Sequence, residues 1–234
     1  MTEAEWLACE DPDRLLEFLK GRASQRKLRL FFVSCCERVE RFFVDARSRT
    51  ALACARRYAD GLANVRELDE ACSEAKGAWE IAVQKAGFAR PRPGWIGAII
   101  APDPATSAAQ AVQRAAERVL DTVHASASDA AARAAELEGG PEAGASEQAA
   151  QCALARDIFR TSFRPIPFVQ TWRTDTALLL AKQMYGTREF SAMPILADAL
   201  QDAGCDNEDI LGHCRGLGPH VRGCWVVDLV LGKE

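Results

Sequence analysis

Thiol and imidazole side chains, which can act as nucleophiles, bases or metal ligands, are concentrated at the end of the chain. Residues 194–234 hold three of the nine cysteines and two of the three histidines. The candidate metal ligands among them are Cys205, His213, Cys214, His220 and Cys224. Sulfur and nitrogen donors in this combination are typical of zinc. The tail therefore supports the hypothesis of a zinc site.

Packing is the competing interpretation of the same residues. No C-x-x-C pair occurs in the chain and no spacing matches a standard zinc knuckle. Cysteine is also among the most buried residue types. We expect Pro219–Leu231 to form one helix that is apolar nearly all round and buried in the core, with His220 and Cys224 sharing one face. We favour this structural interpretation of the tail and keep the metal site as the alternative.

Sequence motifs for other chemistry are missing. The chain has no nucleophile-elbow, phosphate-loop, zinc-protease or dinucleotide-binding motif, so we assign no catalytic and no cofactor-binding residue. His213 and Cys214 are adjacent in sequence and could form a thiol–imidazole pair. Neighbouring side chains on a helix point roughly 100° apart, so this pair would require loop geometry. Cys35 and Cys36 are adjacent in a predicted helix and are expected to pack in the core.

Helical periodicity dominates the elements that must position these residues. Apolar residues recur three and four apart, and no segment of the first half alternates as a half-buried strand does. Ser24 is expected to cap a long helix that continues to about Ala46. We predict an all-α fold, a multi-helix orthogonal bundle with an alanine-rich helical hairpin insertion.

Proline, glycine and alanine content divides the chain into four predicted parts. They are a helical part (1–88), a proline-rich connector (89–104), the alanine-rich hairpin (105–156) and a helical part (157–234) that packs on the first as one unit. The hairpin is expected to turn at residues 139–145. Because alanine gives only a thin face to bury, we expect the hairpin to be dispensable for the rest of the fold.

Composition is that of an ordinary globular protein, with 48% hydrophobic and 26% charged residues and a net charge of −4. The first ten residues lack the features of a signal peptide, and no apolar run approaches the ~20 residues needed to cross a bilayer. We therefore expect a cytoplasmic location, reduced cysteines and no membrane partner.

Charge is uneven along the chain. Residues 20–57 contain eleven Lys and Arg against three carboxylates. Such a stretch can bind nucleic acid, but no aromatic side chain is interleaved on its polar face and no nucleic-acid motif is present. We expect nucleic acid not to be a partner, and a protein partner instead.

The two ends of the chain resemble one protein family. The opening W-L-A-C-E-D-P (from Trp6) and the ending H-V-R-G-C-W-V-V-D-L-V-L-G-K (from His220) are similar to those of a planctomycete-type bacterial family. The resemblance covers roughly residues 1–70 and 155–234. It carries no activity and no site residue, and it implies that the chain is one evolved unit.

Two functional hypotheses follow. The favoured one is a non-catalytic cytoplasmic interaction or scaffold protein. The alternative is a metal- or thiol-dependent protein, possibly an enzyme, that uses zinc bound by the Cys/His group of the tail.

Overall fold

The computed structural model describes residues 1–87, 103–117, 126–159 and 166–233. These residues divide into two compact units. The first, here the C-terminal unit, comprises Met1–Leu7 and Ala153–Glu234; the second, the N-terminal unit, comprises Ala8–Cys152. The predicted connector at 89–104 lies almost entirely outside the described residues.

Helices make up both units, and the described residues contain no strand, so the predicted all-α class is confirmed. The early helices are α1 (Glu3–Ala8), α2 (Pro12–Leu19), α3 (Gln25–Arg38), α4 (Ala46–Ala59), α5 (Val65–Lys85), α6 (Pro104–Ala115) and α7 (Ser126–Gly139). The later ones are α8 (Pro141–Phe159), α9 (Asp175–Thr187), α10 (Met193–Asp202), α11 (Glu208–Arg215) and α12 (Trp225–Leu231). Short 3₁₀ turns lie at Glu40–Phe42 and Gln170–Trp172.

Side-chain caps fix where several helices begin. Asn64 accepts backbone N–H groups of α5 while Glu67 reaches back to the Asn64 N–H, which is a capping box. Ser24 caps α3, as expected, but α3 ends at Arg38 rather than near Ala46. Asp45 instead accepts the N–H of Arg47 and starts α4 there. The helix predicted from Ser24 to about Ala46 is therefore α3 followed by a 3₁₀ turn, and α4 begins where that helix was expected to end.

The alanine-rich helices are part of the core of the N-terminal unit. Helix α6 packs against α3, α4, α5 and α7. Its buried alanines let the helix backbones approach closely: Ala108, Ala111, Ala115 and Ala116 are all fully buried. The expectation that this region buries little is wrong, because small side chains at a close helix contact exclude water as well as large ones do. The turn is also shorter than predicted, since α8 begins at Pro141.

The C-terminal unit has its own hydrophobic core, formed by α9 to α12 around Trp225, Trp172, Met184 and Leu200. Trp225 is 1% exposed, which confirms its predicted burial. The last helix is shorter than expected, since α12 starts at Trp225 rather than at Pro219. The backbone at Gly223 has φ +94°, outside the helical region, so a helix cannot run through it. Residues 219–224 are therefore a non-helical segment that ends in a turn closed by the Cys224 N–H and the Val221 carbonyl, and we call this segment the turn 219–224.

Most arginines of the basic stretch pair inside the N-terminal unit. Ion pairs join Arg26 to Asp60, Arg38 to Glu147, Arg41 to Glu138, Arg47 to Asp45, Arg56 to Glu37 and Arg57 to Glu67. These side chains are therefore paired with carboxylates of the same unit. Within the described ranges, no helix is long and apolar enough to cross a membrane.

Candidate metal centre

Four potential metal ligands meet in the C-terminal unit: Asp157, His213, His220 and Cys224. Asp157 lies near the end of α8 and His213 near the end of α11. His220 lies in the turn 219–224, and Cys224 is the residue that precedes α12. The positive φ at Gly223 turns the chain between His220 and Cys224, so both can face the same point without sharing a helix.

The four donor atoms, one from each residue, lie within 4.8 Å of one another. Asp157 Oδ1 is 2.9 Å from His220 Nδ1 and 3.1 Å from His213 Nε2. Cys224 Sγ is 3.2 Å from His213 Nε2 and 4.0 Å from His220 Nδ1. All four atoms therefore surround one small volume.

This arrangement fits a tetrahedral ion. Ligands 2.0–2.3 Å from zinc at tetrahedral angles are separated by about 3.3–3.8 Å. The observed separations scatter around that value, and the two shortest join Asp157 to histidine nitrogens that can hydrogen-bond to it. Nitrogen, oxygen and sulfur donors of this kind are all zinc ligands.

A catalytic triad has a different geometry. In a triad, one histidine nitrogen faces the nucleophile and the other faces the carboxylate. Here Nε2 of His213 faces both Cys224 and Asp157, and Nδ1 of His220 also faces both. One nitrogen of each ring thus points at the shared centre, as it does around a metal ion.

Asp157 supplies a buried negative charge to the group of four. Its burial alone would raise the pKa of the carboxyl, but the hydrogen bonds and charges of His213 and His220 outweigh burial and lower that pKa below its ordinary value. The backbone N–H of Val221 also donates to Oδ2, at 3.0 Å. The carboxylate therefore stays ionised although it is almost completely buried.

The pKa of the Cys224 thiol is shifted in the opposite direction from that of Asp157. Its burial, followed by the negative charge of Asp157, raises the pKa of the thiol well above its ordinary value. A thiol in such surroundings is protonated and unreactive unless a cation stabilises the thiolate. A bound metal ion would supply that charge.

The remaining nitrogen of each histidine has a distinct environment. The indole N–H of Trp225 donates to Nδ1 of His213 at 3.1 Å. Nε2 of His220 is buried with no hydrogen-bond partner among the described residues. A half-satisfied buried histidine costs roughly 1–3 kcal/mol. The fold tolerates this cost at the ring nitrogen of His220 that does not face the centre.

Comparisons with known proteins give no match: no protein-family model, curated protein or solved structure matches the chain. The resemblance of the two chain ends to a planctomycete-type family stays a prediction.

The structure brings together three of the five residues named from sequence, His213, His220 and Cys224. Cys214 and Cys205 are buried and lie outside the group of four. Burial, and next the proximity of Cys205, raises the pKa of Cys214 to about 12. These two cysteines are therefore placed as core residues.

Sequence reasoning missed Asp157. It is 56 residues from His213 in the chain, and no local spacing links the two. One signal was present: an acidic residue interrupts the apolar end of α8, between Ala155 and Ile158, both fully buried. A charged residue among buried positions indicates a partner elsewhere in the fold.

An open cleft of about 430 Å³ lies beside the centre. It is lined by Leu7, Ala153, Arg156, Asp157, Glu208, Asp209, Gly212, His213, Gly216, Gly218, Pro219 and His220. Three of the four candidate ligands are thus part of its wall. The centre can be reached from solvent through this cleft.

Proposed function

We propose that this protein binds a zinc ion at the point on which Asp157, His213, His220 and Cys224 converge. The observation that carries the proposal is that four donors from three separate segments of the C-terminal unit lie within 4.8 Å of one another. Packing alone does not require one nitrogen of each histidine, a carboxylate oxygen and a thiol to face a common volume.

Zinc suits this donor set better than other common ions do. Calcium and magnesium take six or more oxygen ligands, and this group offers one carboxylate. A thiolate with imidazoles and a compact tetrahedral volume favours zinc. The ion would connect α8, α11 and the turn 219–224, so its binding free energy would contribute to the stability of the C-terminal unit.

Metal content is the direct test. The protein is purified without an affinity tag that binds metal, and zinc is measured by atomic emission against protein concentration. We expect one zinc per chain in the wild type and loss of that zinc in Cys224→Ala. Cys205→Ala is the matched control, because it also removes a buried thiol of the same unit and should keep its zinc.

Two results would overturn the proposal. One is wild-type protein that contains no metal and takes up none when it is refolded with zinc. The other is equal zinc retention in the Cys224 and Cys205 variants, which would show that the ion is bound elsewhere.

An interaction role is a second proposal, favoured by one surface feature. Leu217 is fully exposed in the loop between α11 and the turn that carries His220. Comparing wild type with Leu217→Asp in affinity capture, followed by reconstitution with the purified partner, tests this role.

A further inference from the structure

We propose that the metal ion keeps one coordination position for an exchangeable ligand from the cleft, and that His213 stands beside this position as a hydrogen-bond donor. Asp157, His220 and Cys224 would then be the permanent ligands. The inference rests on the proposed zinc site and concerns what that site does. Zinc sites with three protein ligands and one open position are those that bind substrates or activate water.

The hydrogen bond from Trp225 is the first reason. An indole N–H is a donor only, so Nδ1 of His213 must accept from it. A neutral imidazole that accepts at Nδ1 has its proton on Nε2, and Nε2 is the nitrogen that faces the centre. A ring nitrogen that carries a proton has no free lone pair and cannot bind a metal ion. His213 in this tautomer therefore donates towards the centre from Nε2.

The position of His213 is the second reason. Its side chain is 17% exposed, whereas those of Asp157 and His220 are 2% and 8% exposed. Cys224 is fully buried. The cleft therefore meets the centre on the side of His213, where an external ligand would enter.

The third reason is a glycine in the wall of the cleft. Gly212 lies inside α11, where glycine is unfavourable compared with alanine. A Cβ atom built on Gly212 would meet no atom within 4 Å. The fold has room for a side chain at this position, so packing does not explain the glycine. A side chain there would narrow the cleft next to His213.

The charges of the cleft indicate the class of ligand. A divalent ion held by Asp157 and the Cys224 thiolate has no net charge. The other charged residues of the wall are Arg156, Glu208 and Asp209, so the acidic groups outnumber the basic one. We infer that the ligand is a small neutral or cationic molecule with a nitrogen or oxygen donor, such as an amine, rather than an anion.

Cobalt-substituted protein tests this inference. Zinc is replaced by Co²⁺, whose thiolate charge-transfer and d–d absorption report on the ligands. Imidazole, as a neutral nitrogen donor, and azide, as an anion, are titrated in parallel. We expect saturable changes in the d–d bands with imidazole at lower concentrations than with azide.

Variants locate the effect. Trp225→Phe removes the indole donor, which lets His213 carry its proton on Nδ1 and close the site with Nε2. It should weaken imidazole binding roughly tenfold or more, whereas Trp172→Phe, at another buried tryptophan of the same core, should not. Gly212→Leu should abolish the imidazole response and keep the cobalt–thiolate band. Gly186→Leu is its control, because Gly186 is also helical with free space around its Cβ and is not a lining residue of the cleft.

The outcomes separate the two proposals. Absence of any cobalt–thiolate band would overturn the metal site itself. A normal band that imidazole does not alter would overturn the open position alone. A tighter response to azide than to imidazole would overturn the assigned ligand class, and equal responses in the Gly212 and Gly186 variants would show that the ligand does not enter through this cleft.

Discussion

The indole N–H of Trp225 donates a hydrogen bond to Nδ1 of His213 over 3.1 Å, and the two ring planes are tilted by 52° with their centroids 4.9 Å apart. One residue thus joins the apolar core to the polar centre. Trp225 is part of the hydrophobic core of the C-terminal unit, while its indole N–H determines which ring nitrogen of His213 carries the proton. Core stability and the chemistry of the centre are therefore linked through Trp225.

Replacing Trp225 and Cys224 separately distinguishes packing from coordination. Trp225→Ala removes a fully buried ring and should reduce the free energy of unfolding by about 3–5 kcal/mol, with or without metal. In chelator, Cys224→Ala removes only a small apolar group and should cost about 1 kcal/mol. With zinc at about 100 times its Kd, the wild type gains ~2.7 kcal/mol that the variant cannot gain.

Urea unfolding of both variants, in zinc and in chelator, measures these differences. A cost for Cys224→Ala that is the same in both conditions would contradict a role for this thiol in coordination.

Asp157→Asn should lower stability most at neutral pH. The carboxylate accepts from His213, His220 and Val221, and charge-assisted hydrogen bonds of this kind are worth about 1.5–3 kcal/mol each. We expect a loss of roughly 3 kcal/mol for the metal-free protein, because the amide can still accept at one oxygen.

The pH dependence of this loss follows from the lowered pKa of Asp157 in the folded protein. A lowered pKa means that the stabilisation is complete above the ordinary aspartate pKa of about 3.9 and is lost as the pH falls through the lower folded value. The difference between wild type and Asp157→Asn in chelator should therefore shrink below about pH 4. A difference that stays constant down to pH 3 would show that the charge of Asp157 does not matter.

Local patterns in the tail predicted its helices but not its centre. Asn207 caps α11 and Pro194 lies in the first turn of α10, and both are start signals of the kind that a sequence shows. Local patterns also predicted one helix over residues 219–231, because apolar residues occur on both sides of Gly223. The sequence does not show that Gly223 adopts a positive φ, which ends the helix there. The sequence showed an acidic residue among apolar ones at Asp157, but it could not show the contacts with His213 and His220, because these depend on tertiary packing.

Alanine content was misleading for a related reason. It correctly predicted helices, since alanine has the highest helix propensity. It gave no information on how close those helices lie to their neighbours. How closely two helices approach depends on the contacting faces of both. The alanine content of the sequence described the face of only one helix in each pair.

Removing the alanine-rich region tests this revised view. Joining Asp103 to Ala155 through a short Gly/Ser linker would delete α6, α7 and most of α8, and would expose the faces of α3, α4 and α5 that pack against α6. We expect loss of cooperative thermal unfolding of the N-terminal unit. A shortened protein that still melts in one sharp transition with unchanged near-ultraviolet circular dichroism would contradict this.

A pair of carboxyl groups in the N-terminal unit gives a second pH dependence. Burial, followed by the charge of Asp13 on α2, raises the pKa of Asp129 on α7 to about 7. A raised folded pKa means that stability from the shared proton is complete below the ordinary aspartate pKa and is lost as the pH rises through the folded value. Both residues remain partly exposed to solvent, so the loss should be small, about 0.5–1 kcal/mol.

Asp129→Asn should therefore raise the melting temperature at pH 8 and leave it nearly unchanged at pH 4.5. Glu142→Gln, a neutralisation at an exposed position of α8, is the control for a general charge effect. An equal gain for Asp129→Asn at both pH values would show that the two carboxyl groups do not share a proton in the folded protein.

Arg29 provides the sharpest test of how the N-terminal unit is held together. Its side chain is buried, its Nη1 donates to the carbonyl of Ala115 at 2.9 Å, and its guanidinium lies 5.1 Å from the ring centre of Tyr58. The Ala115 carbonyl is at the end of α6, where helix carbonyls lack partners and a positive charge is favourable. Arg29→Ala would leave that carbonyl without its donor and open a cavity, so we expect the free energy of unfolding to fall by about 3 kcal/mol.

Arg49→Ala is the control, because both side chains of the Arg49–Glu40 pair are about half exposed and the pair should contribute at most about 0.5 kcal/mol. Chemical unfolding of the two variants measures both values, and a cost for Arg29→Ala no larger than that for Arg49→Ala would refute the role of Arg29 as the link between α3 and α6.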